Sequence, residues 1–125
     1  MKYRLYILAS SLYVMATAQA VAQEKIRVPS TQEVISTCKT PSSPESRSFC
    51  IGYVTAVYDS YMVSRKPKKV ESLICMNQPA STRDEVIADL TKWSDKHPEY
   101  AMEPAAGNIL RFFSERFPCK KSVKR

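Results

Sequence analysis

The sequence predicts an all-α fold, a small up-and-down bundle of about four helices held by two disulfides. Three observations predict it. Helix-start signals stand at Ser30, Ser43 and Thr82, each followed by apolar residues recurring at three and four. Two Gly and eight Pro argue against a β-sandwich, which needs many Gly-bearing turns. Four cysteines, Cys38, Cys50, Cys75 and Cys119, all lie downstream of an export signal, and exported compartments oxidise thiols.

The export signal occupies residues 1–22. Lys2 and Arg4 make a basic start, and a mostly apolar run from Ile7 to Ala18 follows. Ala18-Gln19-Ala20 and Ala20-Val21-Ala22 then give two small-x-small cleavage patterns. This is the pattern of a secretory signal peptide, with cleavage expected after Ala22. The run falls short of the ~20 residues a membrane span needs. The residue directly after the cleavage site is Gln23 and not a Cys that could carry a lipid, and no later stretch could span a bilayer. The expected product is one exported, soluble, periplasmic domain over 23–125. A domain of that size buries a modest core and is usefully stabilised by cross-links.

Gln23 to Pro29 reads as a mobile polar leader. Ser30-Thr31-Gln32-Glu33 is a capping box that opens a helix from about Thr31 to Cys38. Ser43-Pro44-Glu45 opens the second and longest helix, with Ser at the cap, Pro at the first helical position and an acid in the first turn. Its apolar positions are Phe49, Cys50, Tyr53, Val54, Val57, Tyr58, Tyr61 and Met62, and it is expected to end near Val63. Tyr58 is turned well away from Tyr53, Val57 and Tyr61; core or dimer packing is the expectation for these tyrosines. Gly52 lies inside this helix, where Gly costs about 1 kcal/mol against Ala, and close approach of another helix is the expected reason. Arg65 to Pro79 reads as an irregular connection.

Thr82-Arg83-Asp84-Glu85 is a second capping box, and Val86, Ile87, Leu90 and Trp93 form the apolar face behind it. His97-Pro98 stops this helix, since Pro biases the preceding residue out of the helical region. Pro104 opens the last helix, carried by Ala105, Ala106, Ile109, Leu110, Phe113 and Phe117, and Phe117-Pro118 ends it before Cys119.

Four cysteines allow three pairings. The second helix, about 19 residues, is roughly 28 Å long, whereas a disulfide spans only about 6 Å between Cα atoms. In an up-and-down arrangement Cys38 and Cys50 meet at one end, and Cys75 and Cys119 at the other. The expected bonds are therefore Cys38–Cys50 and Cys75–Cys119, contributing roughly 3 and 4 kcal/mol in the chain-entropy model.

Little in the chain suggests catalysis. The cysteine spacings contain no CxxC, and His97 is the only His, so neither a zinc site nor any other metal or cofactor is expected. Paired cysteines leave no reactive thiol. His97, before a Pro at a helix end, reads as a loop or capping residue. Asp84, Glu85 and Asp89 read as dipole partners and solvated charges. The chain is not expected to be an enzyme. The formal charge of +7 falls to about +5 once Lys2 and Arg4 are removed. Its excess sits at Arg65-Lys66-Pro67-Lys68-Lys69 and in the tail Lys120, Lys121, Lys124 and Arg125. Aromatics do not interleave with these lysines, so no nucleic-acid platform is expected.

Several motifs in this order form a wider pattern. They are Phe49-Cys50-Ile51-Gly52-Tyr53 with Asp59 six residues on, a Cys before the third helix, His97-Pro98-Glu99, Pro104-Ala105 and Phe117-Pro118-Cys119. Together they resemble the Rap/Tai immunity family over Val34 to Cys119. The chain departs from the family at Met76-Asn77-Gln78-Pro79, where members often carry an apolar residue and a Pro just after the third Cys. The resemblance implies a periplasmic, all-helical protein that sterically blocks a peptidoglycan amidase effector delivered by type VI secretion, and that is able to form a homodimer. The candidate contact residues are Arg65, Lys66, Lys68, Lys69, Met76, Asn77 and Gln78, in a connection pre-ordered by Cys75. The rival expectation from another class is a periplasmic helical chaperone or general interaction domain without a cognate toxin.

Overall fold

Residues 25–39, 42–65, 71–76 and 79–120 are described by a computed structural model. The expected signal peptide and the tail residues Lys121, Lys124 and Arg125 lie outside the described residues. Four helices follow one another: α1 (Thr31–Lys39), α2 (Pro44–Arg65), α3 (Arg83–Asp95) and α4 (Ala105–Arg116). Among the described residues β-pairing is limited to two isolated bridges, Ser30 with Pro104 and Ile74 with Pro118.

The helix starts follow the local chemistry. At α1 the Ser30 hydroxyl accepts from the Glu33 amide at 3.3 Å, and the Glu33 carboxylate accepts from the Ser30 amide at 2.8 Å. These bonds satisfy donors that a helix start leaves without an intrahelical partner. Arg27 forks onto the same carboxylate at 2.7 and 3.0 Å. Together these contacts lower the Glu33 pKa from 4.5 to about 2, with the Arg27 hydrogen bond the largest cause. At α2 the Ser43 hydroxyl accepts from the Ser46 amide at 3.2 Å. Thr82 and Glu85 close the reciprocal box at α3, at 2.8 and 3.2 Å.

Burial then selects one stripe of each helix. α1 buries Thr31, Val34, Ile35 and Cys38, an i, i+3, i+4, i+7 pattern. α2 runs two residues past the expected end, so Arg65 is its last residue rather than part of the connection. It buries Cys50 and Val54, with Tyr53, Val57, Tyr58 and Tyr61 half-buried against the core. Tyr58 leaves the line of the other tyrosines because its target is α4: its ring lies 5.5 Å from that of Phe113. Phe49, expected on the apolar face, is 49 % exposed. Gly52 is a second correction. A Cβ built there meets nothing within 4 Å, so no helix approaches it and the glycine is not required by packing.

α4 is the centre of the core. It buries Ala105, Asn108, Ile109, Phe112 and Phe113, with Phe117 just beyond its end. α3 runs antiparallel to it: Arg116 pairs with Asp89 at 3.0 Å, and the Trp93 indole N–H donates to Glu115 at 2.7 Å. Phe112 therefore faces Trp93 while Phe113 faces Tyr58, so α4 buries Asn108 and Phe112, neither of them expected on its apolar face, while Ala106 and Leu110 are only half-buried.

The His97-Pro98-Glu99 turn between α3 and α4 is built by ring packing. Pro98 starts a single 3₁₀ turn to Tyr100. The His97 ring lies 4.3 Å from Trp93 and 5.7 Å from Tyr100, and Nδ1 of His97 is 2.7 Å from the Trp93 carbonyl. Arg111 closes the pile from α4, its guanidinium 4.3 Å from the centre of the Tyr100 ring. The single histidine is thus a packing residue.

Backbone bonds tie the start of α1 to the start of α4. Thr31 donates to Glu103, Gln32 to Ala101 (both 2.8 Å) and Ala105 to Pro29 (3.0 Å). The last residues of the leader, Arg27 and Pro29, are therefore held by α1 and α4 and are not free. Both disulfides have the expected pairing. Cys38–Cys50 joins α1 to the second turn of α2, and Cys75–Cys119 joins the connection after α2 to the chain after α4, with Cα atoms 5.2 and 4.8 Å apart.

Candidate protein-binding surface

Arg65 and Met76 are the expected contact residues that fall within the described part of the chain; Lys66, Lys68, Lys69, Asn77 and Gln78 lie outside the described residues. Arg65 is turned inward. Its guanidinium sits 5.3 Å from the centre of the Tyr61 ring, and Nη1 donates to the Ser72 hydroxyl at 2.7 Å. Ser72 in turn donates to the Ile74 carbonyl at 2.7 Å, and the Leu73 amide donates to the Tyr61 hydroxyl at 3.0 Å. Burial pushes the Tyr61 phenol up, but the Leu73 amide, the Ser72 hydroxyl and the Arg65 charge outweigh it and hold the group below its usual range. Arg65 works as an internal clamp on residues 72–74. Met76 is exposed, as a contact residue must be.

A second clamp follows closely. Ile74 is buried, the Cys75 amide donates to the Phe117 carbonyl at 2.8 Å, and Cys75 is bonded to Cys119. The short stretch 72–75 is thus fixed at both of its ends. Met76 therefore leaves from a fixed point, and the Thr82 cap fixes the start of α3.

Beside that exit lies a cleft of about 150 Å³ between α2, α3 and the connection. The buried residues Val54 and Phe113 form its base, and Tyr58 and Ile87 its walls. Met76 stands at its rim, and among the described residues Arg83 is the one charged side chain that lines it. Sequence reasoning missed this cleft because residues from α2, α3, α4 and the connection build it together.

The groups that carry chemistry are committed elsewhere. All four cysteines are in disulfides. Among the described residues no group of His, Cys, Asp and Glu is placed to hold a metal ion, and no helix is long and apolar enough to cross a membrane. The acids of α3 are occupied: Asp84 by Arg47 at 2.5 Å, Glu85 by the Thr82 amide, and Asp89 by Arg116.

A family model described as Rap1a immunity proteins matches residues 30–119. The chain belongs to this family. The Rap1a match starts at Ser30, the cap of α1, and ends at Cys119, so it takes in all four helices and both disulfides. The family resembled by the motifs in the sequence is thus the one matched. Comparison with curated proteins finds no match, and comparison with solved structures finds none.

Proposed function

We propose that this Rap1a-family chain is a periplasmic immunity protein that binds a type VI secretion peptidoglycan amidase effector and blocks its cleft sterically. The observation that carries the proposal is the family match over residues 30–119. The secretory pattern of residues 1–22 and two disulfides support a site of action outside the cytoplasm. The mechanism is binding alone. The blocking element is the connection that follows Arg65 and runs to Ser81, whose fixed point at Cys75 lowers the entropy lost on docking. Lys66, Lys68 and Lys69 steer an acidic effector onto it, and Met76, Asn77 and Gln78 make contact. A homodimer is the proposed assembly of the free protein.

Titration of mature 23–125 chain against purified type VI amidases, followed by calorimetry and by peptidoglycan hydrolysis, tests the proposal. One amidase bound tightly and inhibited is the expected result. Weak binding to many unfolded proteins and to no amidase would place the chain with periplasmic chaperones instead. Charge reversal at Lys66, Lys68 and Lys69 is expected to slow association. An unchanged on-rate with unchanged inhibition would remove the connection from the mechanism.

A further inference from the structure

The cleft bounded by α2, α3 and the connection fits one kind of visitor. Its volume of about 150 Å³ is the size of an apolar cavity that takes up a benzene molecule. One aromatic or leucine-sized side chain fills such a space. Val54, Tyr58, Ile87 and Phe113 supply an apolar lining for it. Interfaces concentrate their binding energy where one such side chain enters a preformed, desolvated pocket.

The charge around the cleft adds a second requirement. Asp84 is paired with Arg47, and the Glu85 carboxylate is held by its own helix cap. Arg83 lines the cleft, stays exposed and has no ion pair among the described residues. Its guanidinium stands in the first turn of α3, where the helix dipole also favours negative charge. The expected mature chain carries a net charge of about +5. A visitor with a carboxylate next to its apolar group satisfies Arg83, whereas one with a cation does not.

We infer that this cleft is an anchor site for a single aromatic or leucine-sized side chain presented by an acidic stretch of the bound effector. The inference rests on the immunity reading for the identity of the partner. The chemistry of the cleft is testable without it.

The test uses mature 23–125 chain and three small probes, followed by amide and methyl NMR shifts. The probes are 3-phenylpropionate, 3-phenylpropylamine and propionate. The phenyl acid is expected to shift Thr55, Ile87 and Phe113, to bind about threefold more tightly than the amine, and to lose that preference in Arg83→Gln. Propionate is expected to leave these residues unmoved. Thr55→Trp, at an exposed position lining the cleft, is expected to fill it and abolish phenyl binding; Ser81→Phe does the same from the connection should Thr55→Trp not fold. Shifts centred elsewhere, equal binding of the acid and the amine, or phenyl binding that survives a folded cleft-filling variant would overturn the anchor site. An amidase inhibited equally by wild type and Thr55→Trp would also overturn it and leave the immunity reading standing. If wild type inhibits no amidase, the immunity reading falls, and the probes still decide the chemistry of the cleft.

Discussion

Replacing Asn108 by Leu probes the polar contact that sets the upper end of the core. Asn108 is 2 % exposed on an otherwise apolar stripe of α4. Its amide nitrogen has three acceptors in reach: the Thr31 hydroxyl at 3.0 Å, and the Tyr100 carbonyl and a Glu103 carboxylate oxygen at 3.3 Å each. Two N–H groups serve three acceptors, so about two full hydrogen bonds are lost in the variant. At about 1 kcal/mol per net bond, with a further charge for acceptors left buried and unmet, Asn108→Leu is expected to cost about 2–3 kcal/mol. Leu keeps the branching at Cγ, so the loss is polar and not a cavity. Thr31 both accepts from Asn108 and donates to the Glu103 carbonyl at 3.0 Å. Thr31→Val loses both of these bonds and is expected to cost about 2 kcal/mol, and the double variant about 1 kcal/mol less than the sum, because the two residues lose one shared bond. Urea unfolding of the four proteins gives the cycle. An Asn108→Leu variant within about 0.5 kcal/mol of wild type, or strict additivity with Thr31→Val, would refute the assignment of Asn108 as the pin between α1 and α4.

Two further predictions follow from the same packing. Gly52→Ala is expected to raise stability by about 0.5–1 kcal/mol, because Gly52 lies inside α2 with open space where the Cβ would go; a loss in urea unfolding would restore the idea of close helix approach. Glu33 has a folded pKa of about 2 against an ordinary 4.5, so its contribution to stability is present above pH 4.5 and is lost as pH falls toward 2. Glu33→Gln is expected to flatten the acid limb of the stability profile in that window, and an unchanged slope would contradict the depressed pKa.

The parts of the fold legible in the sequence are those fixed by neighbours along the chain. Ser30 with Glu33 and Thr82 with Glu85 are three residues apart, and both boxes form as read. The disulfides were legible because the length of α2 leaves few ways for Cys38, Cys50, Cys75 and Cys119 to meet. What stayed hidden depends on residues distant in sequence. Phe112 is buried only because α3 covers a second side of α4, and Asn108 only because Thr31 and the 100–103 turn close over it. Arg65 reads as one of a run of basic residues, yet Tyr61 and Ser72 bring it inward. The cleft has no sequence signature, since its base is shared between Val54 and Phe113 on different helices.

The second disulfide has a consequence beyond stability. Cys75–Cys119, the Cys75–Phe117 hydrogen bond and the Arg65–Ser72 and Tyr61–Leu73 contacts all act on residues 72–75. None of the four helices depends on those residues for its own start, because each is capped or bonded locally or by the 29–31 and 101–105 segments. The second disulfide therefore fixes, above all, the place from which Met76 and the chain toward Ser81 emerge beside the cleft. A segment held in this way loses less freedom on docking than a free loop of equal length. Fixing the connection also fixes Met76 at the rim of the cleft, so one covalent bond sets the geometry of both the proposed blocking element and the proposed anchor site.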